Sequence, residues 1–146
     1  MPISLDIQHA PGHLIRRAQQ MAVAVFMEEA AAFDVTPVQY AILNALMDTP
    51  GVDQVTLAAR VAFDPATSGS VIARLELKGW VRRESDPRDK RRKLLWLTSA
   101  GEQAVEQMTE AVRETQRRIV APLTPKEQAQ LIELLDKLVA GHEAQR

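Results

Sequence analysis

Apolar residues along this chain recur mostly every three to four positions, the spacing of one helical face. Leu14, Ala18, Met21, Ala22 and Val25 mark a first helix after Pro11-Gly12. Residues 23–33 are apolar on nearly every side except at Glu28 and Glu29, as in a helix buried under other helices or against a second subunit. A second helix opens with Thr36 as cap, Pro37 at its first position and Gln39 three residues beyond the cap. That is a capping box, with proline where the missing N–H is of no consequence. Val35 and Tyr40 stand at hydrophobic-staple positions, and Pro50-Gly51 ends the element. A short third helix is expected from Gln54 to Val61, capped by Asp53, with Leu57, Ala58 and Val61 inward. Asp64-Pro65 then opens a fourth, Asp as cap and Pro in first position. It ends at Gly79, where Leu75 and Trp80 fit the apolar contact of a Schellman motif.

After Trp80 the period changes. Residues 81–85 and 93–97 read as two short strands flanking a loop over 86–92, in which Pro87 marks the loop. Two helices then finish the chain. One runs from Ser99 to Val120, with Glu102 completing a capping box. The other is opened by Thr124-Pro125-Lys126-Glu127 and carries Leu131, Leu134, Leu135, Leu138 and Val139. Two helices joined by a three-residue turn and followed by a hairpin make a helix-turn-helix with a wing. The expected fold is mainly α, a single domain over 1–146. It has a winged helix-turn-helix lobe over 36–98 with a two-stranded wing, and the flanking helices, 10–34 and 99–146, form a dimerisation region. The outer helices carry more apolar surface than a monomer of this size exposes, so the leucine ladder is expected in, or directly beneath, a dimer interface.

Composition narrows the chemistry. The 146 residues suffice for one domain. The absence of cysteine excludes disulfides, thiol catalysis and thiolate metal sites. The histidines are His9, His13 and His142, and Pro11-Gly12 between the first two spoils a helical metal pair. No His-Glu-x-x-His, Gly-x-x-x-x-Gly-Lys or Gly-x-Ser-x-Gly occurs, so neither metal nor cofactor is expected. With no leader-like start and no apolar run of 18 residues, a soluble cytoplasmic protein is expected.

Charge points to the partner. The formal net charge is -1, yet Arg82 to Lys93 holds seven Lys/Arg against three acids, a +4 segment in a remainder of -5. Cationic hairpin tips enter the narrow, negative minor groove of DNA. Asp86 and Asp89 beside Arg88 and Arg91 are read as orienting an Arg by bidentate pairing. On the fourth helix, Thr67, Ser70 and Arg74 share one side, while Ser68, Val71, Ile72 and Leu75 lean to the apolar side. Its first half, residues 66–70, carries only short side chains, which let a helix approach a groove closely. The N-terminal N–H groups favour phosphate, and Arg74 has the reach for a base edge. The candidate DNA-contacting residues are Thr67, Ser68, Ser70 and Arg74 on the helix and Asp86, Arg88, Lys90, Arg91 and Arg92 on the wing, with Lys90, Arg91 and Arg92 on phosphates.

The order helix-helix-helix-turn-helix-wing-helix-helix resembles the MarR family of transcriptional regulators. The residues that carry the resemblance are Leu57-Ala58, Asp64, Thr67, Leu75-Glu76-x-x-Gly79-Trp80-Val81, Arg83, Asp86-Pro87-Arg88-Asp89-Lys90-Arg91 and Leu97-Thr98-x-x-Gly101. The resemblance implies a homodimer on a pseudo-palindromic operator, Arg88 in the minor groove with Asp86 bracing it, and a small-molecule pocket between the dimer helices and the DNA-binding lobe. Pro11 to Arg17 also resembles members that govern aromatic-compound catabolism. The cysteine of the hydroperoxide-sensing branch is absent. Candidate effector contacts are His13, Arg17 and Gln20 on one flank of the first helix, with Tyr40, Met47 and Trp96 as apolar wall; an aromatic acid or its thioester suits that mixture. The expected function is a repressor released by such a ligand. Two alternatives stand beside it: a winged-helix protein that binds another protein or RNA, and a small enzyme. The enzyme would need convergent titratable groups, for which His13 with Glu28 or Glu29 is the one suggestive set. Glu29, within the apolar stripe, equally fits as the structural partner of an Arg.

Overall fold

The computed structural model of the chain describes residues 4–61 and 65–145. In chain order the elements are α1 (Pro11–Glu29), α2 (Pro37–Asp48), β1 (Val52–Asp53), α3 (Gln54–Arg60), α4 (Pro65–Leu77), β2 (Val81–Asp86), β3 (Asp89–Leu97), α5 (Ser99–Val120) and α6 (Pro125–Glu143), with 3-10 turns at Ile7–His9 and Ala31–Phe33. The local signals act as the sequence implies. Thr36 and Gln39 form a reciprocal capping box on α2, and Thr124 and Glu127 form one on α6. Asp53 caps α3 through the Thr56 N–H. Gly79 takes φ +79, and its Schellman pairing is complete: Trp80 N–H to Leu75 carbonyl at 3.1 Å, Gly79 N–H to Glu76 carbonyl at 2.9 Å. Asp64, the expected cap of α4, lies outside the described residues.

Three expectations change. The wing is a tight hairpin: β2 and β3 extend to Asp86 and from Asp89, so Pro87-Arg88 alone form the turn and not a seven-residue loop. Lys- and Arg-rich strands carry no apolar alternation where neither face is buried, so the extension left no trace in the pattern. The register shifts between Ser85 and Asp86: Ser85 pairs with Lys93 but Asp86 with Asp89, leaving Lys90, Arg91 and Arg92 as a bulge on β3. A third strand, β1, is too short for sequence periodicity to reveal; it pairs Val52 with Leu95 and Asp53 with Leu94 in the order β1-β3-β2. Lastly, α5 is capped by Thr98 through the Gly101 N–H, so Glu102 lies in the first turn without completing a box.

The core joins the helices to the sheet. Ile42, Leu43 and Leu46 of α2, Leu57 of α3, Ile72 and Leu75 of α4, Leu95 of β3 and Met108 of α5 are all fully buried. Phe26 and Ala30 bring the end of α1 into the same cluster. Arg118 of α5 spans to Glu28 and Glu29 of α1, each at 2.8 Å, which closes the α1–α5 packing with two ion pairs. In contrast, α6 buries none of its residues: Leu134 is 63% exposed, and Ile132, Leu135, Leu138 and Val139 also face water.

A β-carbon at Gly101 would lie 2.1 Å from the Trp80 carbonyl oxygen, whereas one at Gly12 meets nothing within 4 Å. Gly101→Ala is expected to destabilise by about 1–3 kcal/mol through overpacking against fixed backbone. Gly12→Ala should stabilise by up to about 1 kcal/mol from helix propensity. Urea unfolding of the two variants checks both.

Candidate nucleic-acid interface

The geometry is set first by α3 and α4. Leu57 and Ala58 on one helix and Ile72 and Leu75 on the other are buried between them. That leaves Thr67, Ser70 and Arg74 on the exposed side of α4 in one row, as their spacing requires. Ser68 is corrected. It is 0% exposed, and its hydroxyl finds no hydrogen-bond partner among the described residues, so it faces the core and not a duplex. Its place in helical phase, beside Ile72 and Leu75, already pointed inward.

The wing divides its cations into two sets. Arg82 pairs with Glu84 and lies over the Trp96 ring, 4.7 Å from the centroid. Arg83 reaches Glu76 of α4 at 3.3 Å and the Gln54 side-chain carbonyl of α3 at 3.2 Å. Lys93 donates to the Ser85 hydroxyl at 2.7 Å. Arg92 donates to Asp86 and to Asp53, each at 3.2 Å. These four are held by their neighbours. Arg88 and Lys90 have no side-chain partner among the described residues, and Arg91 is 97% exposed with only a 3.9 Å approach to Asp89. The second set stands free at the tip and bulge.

The wing acids act on the backbone more than on the free arginines. Asp86, itself buried, accepts the Arg88 N–H at 2.9 Å, and Asp89 accepts the Arg91 N–H at 3.1 Å. Asp86 therefore braces the turn on which Arg88 stands, and its guanidinium partner is Arg92. A basic cleft of about 280 Å³ lies between the start of α3 and the wing, lined by Asp53, Gln54 and Val55 and by Arg83, Arg91, Arg92 and Lys93. A second cleft of about 360 Å³ runs from the start of α2 to the end of α4 and includes Arg74 and Lys78. The pairing of Arg83 with Glu76 and that of Arg92 with Asp53 escaped the sequence reading, which had Asp53 only as the cap of α3. Glu76 and Arg83 lie seven residues apart across the Gly79 turn, and their opposite signs were the available signal.

The family model described as "MarR family" matches residues 33–92. The transcriptional regulator HosA of Escherichia coli O111:H- is 34% identical over 87% of this chain and 93% of that protein. The transcriptional repressor NicR of Pseudomonas putida is 29% identical over 94% of this chain and 87% of that one. Among solved structures, BpsR of Bordetella bronchiseptica, described for the regulation of its DNA binding by 6-hydroxynicotinic acid, superposes with a TM-score of 0.88 at 31% identity, over 95% of this chain and 98% of that one. A mutant MarR from E. coli, complexed with operator DNA, gives 0.85 at 28% identity over 92% and 99%.

The chain belongs to the MarR family. It is a winged-helix transcriptional regulator that binds DNA.

The candidate effector residues are less gathered. His13 is half-buried with its Nδ1 3.1 Å from the Arg16 guanidinium, while Arg17 and Gln20 are exposed. Tyr40 packs 6.3 Å from Phe26, and burial pushes its phenol above the ordinary value, opposed by Arg113. Met47 is partly exposed, and Trp96 is held between Arg82 and Gly51. None of the six lines the wing cleft, the Arg74 cleft or the groove on α6.

The Thr56 hydroxyl and N–H, followed by Arg92, hold the Asp53 carboxyl below its ordinary range. A carboxyl lowered on folding stabilises the native state above its unfolded value of about 4, and that contribution fades as pH falls through the lowered value. Asn caps a helix as well as Asp but has no charge for Arg92. Thermal melts should find Asp53→Asn less stable than the parent by a constant margin above about pH 5, and the margin should shrink below about pH 4.

Proposed function

We propose that this protein is a homodimeric repressor that reads a pseudo-palindromic operator and is released by a small aromatic acid or its thioester. The observation that carries the DNA half of this reading is the division on the wing: four cations are tied to the fold, while Arg88, Lys90 and Arg91 stand free beside the exposed row of α4. A solvated charge run with no partner in view would not sort itself in that way. The relatives described as a repressor and as regulated by 6-hydroxynicotinic acid support the repressor and aromatic-acid parts.

Dimerisation is supported by α6, whose Leu134, Leu135 and Leu138 are left exposed among the described residues. On this reading 36–98 is the DNA-binding lobe, and 10–34 with 99–146 pair the two copies. The half-sites then lie about 34–36 Å apart, one turn of the duplex. The role is not enzymatic and is carried out in the cytoplasm, where the operator is. Glu28 and Glu29, the carboxylates an enzyme would have paired with His13, are both taken by Arg118. A shared interface also offers a reason that His13, Arg17, Gln20, Tyr40, Met47 and Trp96 do not line one cleft in a single copy.

Arg74→Ala should cost about 1–3 kcal/mol on a selected operator and relax specificity at one base position. Arg91→Ala should weaken operator and random duplexes alike and lower the salt slope by about 0.9. Fluorescence anisotropy on both duplexes across a salt series reads these directly; identical behaviour of the two variants would remove the assignment. Sedimentation at micromolar concentration should give a dimer, and a folded monomer would contradict the interface.

Titration of the operator complex with a panel of aromatic acids and thioesters should release DNA below millimolar ligand, with Arg17→Ala and His13→Ala blunting release. Release that ignores both substitutions would move the effector elsewhere.

A further inference from the structure

Charge pattern alone groups Arg92 with Lys90 and Arg91 as a phosphate contact, yet its guanidinium lies between two carboxylates. Its Nη1 lies 3.2 Å from Asp86 Oδ2 and its Nη2 3.2 Å from Asp53 Oδ1. Both carboxylates are largely shielded, with side chains 11% and 16% exposed, and both are committed elsewhere as well. Asp53 holds the Thr56 N–H and hydroxyl at the start of α3. Asp86 holds the Arg88 N–H in the wing turn. One guanidinium thus joins the cap of the helix-turn-helix to the turn that presents Arg88. The forked, always-charged group is needed for this, because a lysine ammonium cannot offer two donors in a fixed fork to two separate acids. Without it, two shielded carboxylates keep their hydrogen bonds to Thr56 and Arg88 but lose their shared counter-charge, which favours opening of the wing away from α3.

We propose that Arg92 is a positioning residue, a latch that fixes the angle between the wing and the helix-turn-helix so that Arg88 and Arg74 meet one duplex together. Fixing two contact elements in advance makes the second contact effectively intramolecular and removes the ordering cost from binding. The latch works through Asp53 and Asp86 and touches no phosphate itself. This inference rests on the DNA-binding reading above.

The test uses the full chain with Arg92→Gln, Arg92→Lys, Asp53→Asn, the double variant Asp53→Asn/Arg92→Gln, and Arg91→Gln as comparator. Amide exchange of Arg88 and Arg91 in the free protein comes first, since it needs no DNA. Exchange at both should accelerate at least several-fold in Arg92→Gln; unchanged exchange would overturn the latch. Binding comes second, on a selected operator and a random duplex over a salt series. Arg92→Gln and Asp53→Asn should each lose about tenfold on the operator and much less on random duplex. The double variant should be no weaker than Arg92→Gln alone, as expected for two members of one coupled pair. Arg92→Lys should restore less than half of the loss. Arg91→Gln should instead weaken both duplexes equally and flatten the salt dependence. Losses that multiply in the double variant, with Arg92→Gln matching Arg91→Gln on both duplexes, would make Arg92 a phosphate contact and overturn the proposal. A parent protein that does not distinguish operator from random duplex would contradict the DNA-binding reading, while the exchange result still decides the latch.

Discussion

Val52 and Asp53 pair with Leu95 and Leu94, and this two-residue ladder joins the helix-turn-helix to the wing. Asp53 is at once the last residue of β1 and the cap of α3, so the helix begins where the strand ends. Leu95, opposite Val52, is fully buried in the core shared by α2, α3 and α4. The wing is therefore anchored to the unit that carries Arg74, although every residue from Lys90 to Lys93 is exposed. A two-stranded hairpin alone is marginal in water. The third strand and the core beneath it turn this hairpin into a fixed projection.

Electrostatics builds on that anchor. The +4 segment does not act as a uniform charged surface. Arg83 ties β2 to α3 and α4, Arg92 ties β3 to α3, and Arg82 and Lys93 are held within the wing. The exposed pair of Arg82 with Glu84 contributes little stability by itself, while the half-buried contacts of Arg83 and Arg92 join the strands to the helices. Arg88, Lys90 and Arg91 then carry the unbalanced charge at the tip. For a protein of net charge -1, concentrating free cations at one projection gives attraction to a polyanion without making the whole surface basic.

Much of the fold was legible because its signals are local. Thr36 with Gln39, Thr124 with Glu127, Asp53 and Gly79 each act within a few residues of themselves, and spacing alone reveals them. The burial of Ser68 was legible in helical phase, though its hydroxyl drew it into the contact set. What could not be read depends on contacts across the chain. The wing turn was overestimated because strands with two polar faces have no alternation. The bulge at 90–92 follows from the register of β2 against β3, and the division of cations follows from that bulge. His13, Arg17 and Gln20 share one flank of α1, which fixes their direction but not their distance from Tyr40, Met47 and Trp96, the expected apolar wall.

The central claim is that a braced wing and the exposed row of α4 engage one duplex as a rigid pair. Hydroxyl-radical footprinting of Arg88→Ala on a selected operator tests it most directly, because Arg88 stands on the turn held by Asp86 and makes no side-chain contact within the described fold. The account predicts that protection over the two half-sites persists while protection of the outer minor-groove flanks is lost symmetrically on both sides. Outer flanks that remain protected, or half-site protection that vanishes together with the flanks, would contradict it.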